Sequence, residues 1–152
     1  MRVSAKVEYG VRACLVLARA PVGKALSAEA IATEAALPGK FLEAILNELR
    51  IHRIITTQRG PVGGARLARS PDEITVADII RAVEGPLADV RGERPEKIVY
   101  PLADQALAKL WVAGRAAMRT VYETTTLAHL AAGVLPPEAA VYLDAPGAWV
   151  TR

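Results

Sequence analysis

Arg59-Gly60-Pro61-Val62-Gly63-Gly64 places one guanidinium beside a turn of glycine and proline, between two short stretches of strand-forming residues. With few side chains in the way, the main-chain N–H groups of such a turn, and Arg59 itself, can come close to a phosphate backbone. Shortly before it, Lys40 to Arg50 carries Phe41, Leu42, Ile45, Leu46 and Leu49 as an apolar set, with Lys40, Glu43, Ala44 and Asn47 mainly on the other face. A helix of that kind fits a major groove about 12 Å wide, where its polar face can reach base edges. An ordinary hairpin and a merely solvated helix face give the same strings, so the surrounding elements must decide.

Those elements follow in order. Ser4 can cap a helix to about Ala20, with Val7, Val11, Cys14, Leu15 and Ala18 on one buried face, before Pro21 and Gly23 break the chain. Ser27 opens a second helix through Ala36, with Ala28, Ile31, Ala32 and Ala35 inward. Leu37-Pro38-Gly39 forms a turn, Pro38 suiting the first turn of the Lys40 to Arg50 helix. Arg53 to Gln58, rich in Ile and Thr, can pair across the glycine turn with Ala65 to Ala68. Thr75 then caps a helix to Glu84, with Val76, Ile79, Ile80 and Val83 on one face and Gly85-Pro86 closing it. Helix, turn, helix, hairpin is the winged-helix order. The expected fold is mostly α with a small β-hairpin wing, and residues 1–86 form a winged helix-turn-helix domain.

Residues 87–101 have mixed charge and little periodicity, and they read as a connector loop. Beyond Pro101, Leu107, Leu110, Trp111, Gly114, Met118, Val121, Tyr122 and Thr125 form one stripe over about five helical turns. A helix of that length overhangs a small domain, so part of the stripe is expected to pack on a second copy of the chain. Ala113, Gly114, Ala116 and Ala117 permit close approach of two helices. Thr126 restarts a short helix ending near Gly133, so residues 102–133 are read as the dimerisation helices. Residues 134–152, entered through Pro136-Pro137, form a tail without legible chemistry.

Bulk properties narrow the classes. The formal net charge is only +3, but residues 1–70 hold 11 Lys/Arg against 5 Asp/Glu, whereas residues 71–152 hold 8 against 11. A basic first half suggests a polyanion partner. Aromatic content of 5% disfavours a reader of single strands by base stacking. The lone cysteine, Cys14, rules out an intramolecular disulfide framework and fits a reducing cytoplasmic setting. Its place on the buried stripe makes it a small hydrophobe, with a redox switch as the rival reading. The apolar run Ala13 to Ala18 is too short to span a bilayer. His52 and His129 read as surface or capping residues. No nucleophile and base at a recognisable spacing, no metal-ligand cluster and no nucleotide loop argues for an enzyme.

With these residues in place, the chain resembles the bacterial Rrf-two (Rrf2) family of winged-helix transcription regulators, which includes the iron–sulfur cluster regulators and nitric-oxide-sensing repressors. The resemblance lies in Met1-Arg2-Val3-Ser4-Ala5-Lys6 with Tyr9, Lys40-Phe41-Leu42-Glu43-Ala44-Ile45-Leu46, the turn Arg59 to Gly64 with Leu67-Ala68, Ile74-Thr75-Val76-Ala77-Asp78-Ile79, Ala82-Val83-Glu84-Gly85, Trp111 and Thr126-Leu127-Ala128. It implies a homodimer whose long helices cross, each recognition helix entering a major groove and each wing a flanking minor groove. Carried over by position, Phe41, Glu43 and Ala44 face bases, Arg59, Gly60, Pro61, Gly63 and Gly64 form the minor-groove wing, and Lys6, Lys40 and Arg50 contact phosphates. Leu107, Leu110, Trp111, Gly114, Met118, Val121 and Tyr122 are the expected dimer contacts.

The departures bear on sensing. Family members that hold a cluster carry three cysteines in the loop before the long helix, and Ala88 to Pro101 has none, so no iron–sulfur cofactor or metal is expected. Pro38, Arg53 and Ala65 also stand where the family often has Ser, Gly and an aromatic residue. The expectation is a cytoplasmic homodimeric repressor that binds double-stranded DNA at an inverted-repeat operator and answers to an unidentified effector or partner protein. The alternative is a winged-helix module that binds a partner protein and has lost affinity for DNA.

Overall fold

The computed structural model describes residues 3–60 and 62–150. Pro61 of the expected wing, and Met1 and Arg2 of the opening motif, lie outside the described residues. The chain runs α1 (Ala5–Arg19), α2 (Ala28–Glu34), α3 (Gly39–Ile51), β1 (Ile55–Gln58), β2 (Gly64–Leu67), α4 (Val76–Val83), α5 (Gln105–Thr124), α6 (Leu127–Ala131) and α7 (Pro137–Ala140). It is a mostly helical fold with one two-stranded antiparallel hairpin in the register Ile55↔Leu67 to Gln58↔Gly64.

Local chemistry explains most helix starts. The Ser4 hydroxyl accepts from the Val7 amide at 3.2 Å, and the Ser27 hydroxyl accepts from Ala30 at 3.1 Å. Each satisfies one of the amides that a helix start leaves without a partner. Thr75 and Asp78 form a reciprocal capping box on α4. The imidazole of His129 takes the carboxylate's place in an equivalent box with Thr126 at the start of α6. Its ring therefore has a capping role.

Boundaries differ from expectation where the backbone turns left-handed. α2 ends at Glu34 because Ala36 has φ +49° and the Leu37 amide donates back to the Ala32 carbonyl at 2.8 Å, which swings Leu37 into the core. Pro38 precedes α3 as its cap position, one residue earlier than its assignment to the first turn. Arg53, where glycine would be at ease, takes φ +58°, and the Ile54 amide reaches the Leu49 carbonyl at 2.9 Å. That turn sends Ile54 and Ile55 inward at the start of the hairpin.

One core joins α1 to α4 and the hairpin. Cys14, Ile31, Leu42, Leu49, Ile55, Ile74, Ile79 and Leu127 are its largest fully buried members. Arg12 ties α1 to the end of α2 by donating to the Ala35 carbonyl. Leu127 shows that the core draws on chain well beyond residue 86. The Val76 amide donates to the Thr125 carbonyl and the Leu127 amide to the Ile74 carbonyl, both at 2.9 Å, so α6 is stitched beside the start of α4 and packs on α1.

The connector has more order than its composition suggests. Asp89 Oδ1 accepts from the Gly92 amide at 2.8 Å, Val90 and Glu93 exchange backbone hydrogen bonds, and Pro95 is buried. The tail also folds: α7 packs on α5. Among the described residues, no helix is long and apolar enough to cross a membrane.

Candidate nucleic-acid interface

α3 separates its two faces sharply. Leu42, Ile45, Leu46 and Leu49 are buried, which leaves Lys40, Glu43, Ala44, Asn47 and Arg50 on the outside. Phe41, grouped by spacing with the apolar set, is 66% exposed and stands outside the core. Burying a phenylalanine is strongly favourable, so one held in water at the first turn of α3 is available for another surface.

The fold brings Lys6 to that side chain. Ser4, Ala5, Lys6 and Tyr9 at the start of α1 face Phe41, Ala44 and Ile45 of α3 across an open, mainly apolar groove of about 530 Å³. Glu43 is turned the other way and lines a recess with Ala28, Glu29, Ala32 and Thr33 of α2. α3 therefore shows an apolar edge with a cation on its α1 side and a carboxylate on its α2 side. Arg50 Nη2 donates to Asn47 Oδ1 at 2.9 Å, which holds that guanidinium along the helix surface.

The hairpin assigns different work to its glycines. The Gly63 amide closes the turn by donating to the Gly60 carbonyl at 2.9 Å. A Cβ on Gly63 would lie 2.3 Å from the Gln58 carbonyl oxygen. At Gly64, with φ +144°, a Cβ would lie 2.3 Å from the Leu26 carbonyl oxygen, because Leu26 and Ala65 exchange backbone hydrogen bonds of 2.9 and 2.8 Å. The two half-buried glycines are thus demanded by internal packing. Among the described residues of the tip, Arg59, Gly60 and Val62 are exposed, outside the Lys6–Phe41 groove.

Two residues on the candidate faces were not among the site residues read from the sequence. Tyr9 lines the groove with Phe41, and only its contact across to α3 reveals it. Arg66 is exposed on β2 and reaches Thr56 Oγ1 at 3.4 Å on the paired strand. The alternation of Ala65 inward and Arg66 outward was a usable signal for it. Arg69, by contrast, is engaged by Asp78 at 3.4 Å and by the Glu73 carbonyl.

The expected dimer stripe on α5 divides. Leu107, Leu110 and Trp111 are 38%, 57% and 41% exposed. Gly114 is exposed, with open space where a Cβ would stand. Met118, Val121 and Tyr122 are half-buried, and Met118 and Tyr122 sit beside Val7, Ile80 and Leu87 of their own chain. Desolvation there raises the Tyr122 phenol above its ordinary range.

An iron–sulfur cluster needs thiolate ligands. Cys14 is fully buried in the core, where desolvation pushes its pKa up to about 12, and it keeps its proton at neutral pH. Among the described residues, no group of three or more His, Cys, Asp or Glu is placed to hold a metal ion. These donors do not fit a cluster.

Known proteins agree on the class of molecule. The profile of the Rrf2 family, described as iron-dependent transcriptional regulators, matches residues 3–133. Rv1287 of Mycobacterium tuberculosis, whose name places it among HTH-type transcriptional regulators, is 43% identical over 144 residues, 95% of this chain and 89% of that protein. The structure of CymR, the global cysteine regulator of B. subtilis, superposes with a TM-score of 0.69 at 31% identity, covering 88% of this chain and 98% of that one. IscR of T. potens gives a TM-score of 0.69 at 30% identity over 88% of each chain. These relatives are regulators of transcription, not enzymes.

Proposed function

The chain belongs to the Rrf2 family of DNA-binding transcriptional regulators, and from that premise we propose that it is a cytoplasmic repressor that occupies an inverted-repeat operator as a homodimer, without a bound cluster. The observation that carries this reading is the outward face of α3, where Phe41 and Ala44 are exposed beside Lys6 and Glu43 is exposed on the α2 side. Glu43 can accept from cytosine N4 but is repelled by phosphate, so a base edge suits it better than the backbone. Phe41 and Ala44 are apolar groups of the kind that contact a thymine methyl. Lys6, Lys40 and Arg50 neutralise phosphates and set the register. Arg59 at the wing tip is drawn to the negative potential of a narrow minor groove.

Two copies are required because a single helix reads only a few base pairs. A two-fold axis repeats the contact one helical turn away and matches a palindromic site. The exposed half of the α5 stripe, Leu107, Leu110, Trp111 and Gly114, is the surface through which the copies meet. An effector that changes how α5 sits on its domain would alter the spacing of the two recognition helices, and with it the fit to the operator.

Selection of binding sequences from a randomised duplex pool by the purified protein, with its visible absorption recorded, tests the reading. A colourless protein that enriches a palindrome is expected, with log K falling against log salt at a slope of about −5 for roughly six phosphates per dimer. No enrichment, or a nearly flat slope, favours the partner-binding module instead. In the same assay Arg59→Ala weakens binding to all sites, and Glu43→Ala relaxes preference at one base pair by about 1–3 kcal/mol per half-site. Equal losses on every sequence for both variants would overturn the roles assigned to them.

A further inference from the structure

Away from α3 and the wing, four arginines from three stretches of chain converge on one recess of about 380 Å³. They are Arg81 in the last turn of α4, Arg94 in the connector, and Arg115 and Arg119 on one face of α5. Two carboxylates answer them. Glu96 pairs with Arg115 at 2.6 Å, and Glu123 is shared between Arg81 and Arg119, the latter at 3.5 Å. Arg94 has no ion pair among the described residues. The cluster therefore carries two more positive than negative groups. Arg115, whose side chain is only 13% exposed, is the member held by Glu96, whereas the unpaired Arg94 is exposed and free to turn toward a ligand. Cations gathered in a partly desolvated recess repel one another and leave donors unused, a cost that a bound anion removes.

We propose that this recess is a binding site for a small organic dianion, a dicarboxylate or a phosphate monoester, that bridges α4, the connector and α5. The guanidinium fork matches both groups through paired N–H donors, which a chloride ion cannot use. The volume lies within the range of small-molecule pockets and is too small for a polymer. A dianion also matches the surplus of two charges. Because its ligands come from both α4 and α5, an occupied site stiffens the junction through which α5 is attached to its domain. The binding stands on the recess alone, and only its regulatory consequence rests on the proposed role of α5.

Calorimetric titration of the full chain with succinate and with glycerol 3-phosphate, at fixed ionic strength and without DNA, tests the site. The uncharged succinamide and glycerol serve as matched controls. At least one dianion is expected to saturate with Kd of about 1 mM or tighter, and the preferred one identifies carboxylate or phosphate as the physiological group. Arg94→Gln should weaken binding at least about tenfold. It should change the thermal midpoint little, since that side chain is exposed and attracts Glu96 only at longer range than an ion pair. Arg66→Gln on the wing should leave binding as it was. Failure of both dianions to saturate, equal binding of an uncharged control, or equal weakening by Arg94→Gln and Arg66→Gln overturns the proposal, the last by reducing it to diffuse attraction. A protein that binds a dianion yet selects no palindrome loses the repressor assignment and keeps this site, and the converse result does the reverse.

Discussion

α3 and α5 carry similar sequence signals and meet different fates. Each repeats apolar residues at helical spacing, yet the α3 stripe is sealed, with Leu42, Ile45 and Leu49 at 1%, 2% and 0% exposure, whereas no residue of α5 is buried. α3 lies between α1, α2 and α4, which cover it within the chain. α5 touches α4, the connector and α7, and these leave Leu110 and Trp111 in solvent. A stripe states that a helix has a face to bury. It does not state whether the partner is the same molecule.

Mutations can break that contrast directly, and the largest effect belongs to the sealed helix. Leu49→Ala removes a fully enclosed side chain and is expected to lower stability by about 2–5 kcal/mol in denaturant unfolding. A loss under about 1 kcal/mol would mean that the α3 core collapses around the gap or was never tight. On α5, Leu110→Asp with Trp111→Asp should cost the isolated fold less than Leu49→Ala does, although Trp111 gives up its hydrogen bond to the Tyr100 hydroxyl, and should shift sedimentation from dimer to monomer. A central tryptophan of this kind is the residue type that reaches about 2 kcal/mol or more in association, with Leu110 adding less. If the doubly substituted protein sediments like the parent, the exposed stripe is not the dimer surface.

The smallest effect at neutral pH concerns Cys14. Its pKa is raised in the folded chain from 9.0 to about 12, so folding favours the protonated thiol. That contribution is complete below pH about 9 and is lost as the pH climbs toward about 12, because the unfolded chain releases the proton first. Stability followed between pH 8 and 11 should therefore fall less steeply in Cys14→Ala than in the parent. Parallel curves would show that the thiol is not desolvated, and would reopen its reading as a redox switch.

The first half of the chain was the more legible. Ser4, Ser27 and Thr75 announced their helices because capping is a contact between residues three apart, and the glycines at 60, 63 and 64 announced the turn for the same local reason. The boundary errors came where a residue adopts an uncommon backbone state under tertiary pressure. Ala36 and Arg53 are left-handed because Leu37 and Ile54 must reach the core, and nothing in those two residue types signals it. Phe41 was misplaced in the apolar set because spacing assigns a face without regard to how far the neighbouring helix extends.

The order of helices and hairpin, the basic character of the first half and the two-sided chemistry of α3 were determined by residues close together in the chain, through periodicity, caps and turn geometry. Contacts at long range were decided only by tertiary structure. These include Lys6 and Tyr9 set against Phe41, Gly64 pressed on Leu26, Leu127 returned to the core, and four arginines gathered around one recess. The physical reason is that local signals reflect interactions over one or two helical turns. Side chains from distant segments share a site only once the hydrophobic core has set the relative positions of the elements that carry them.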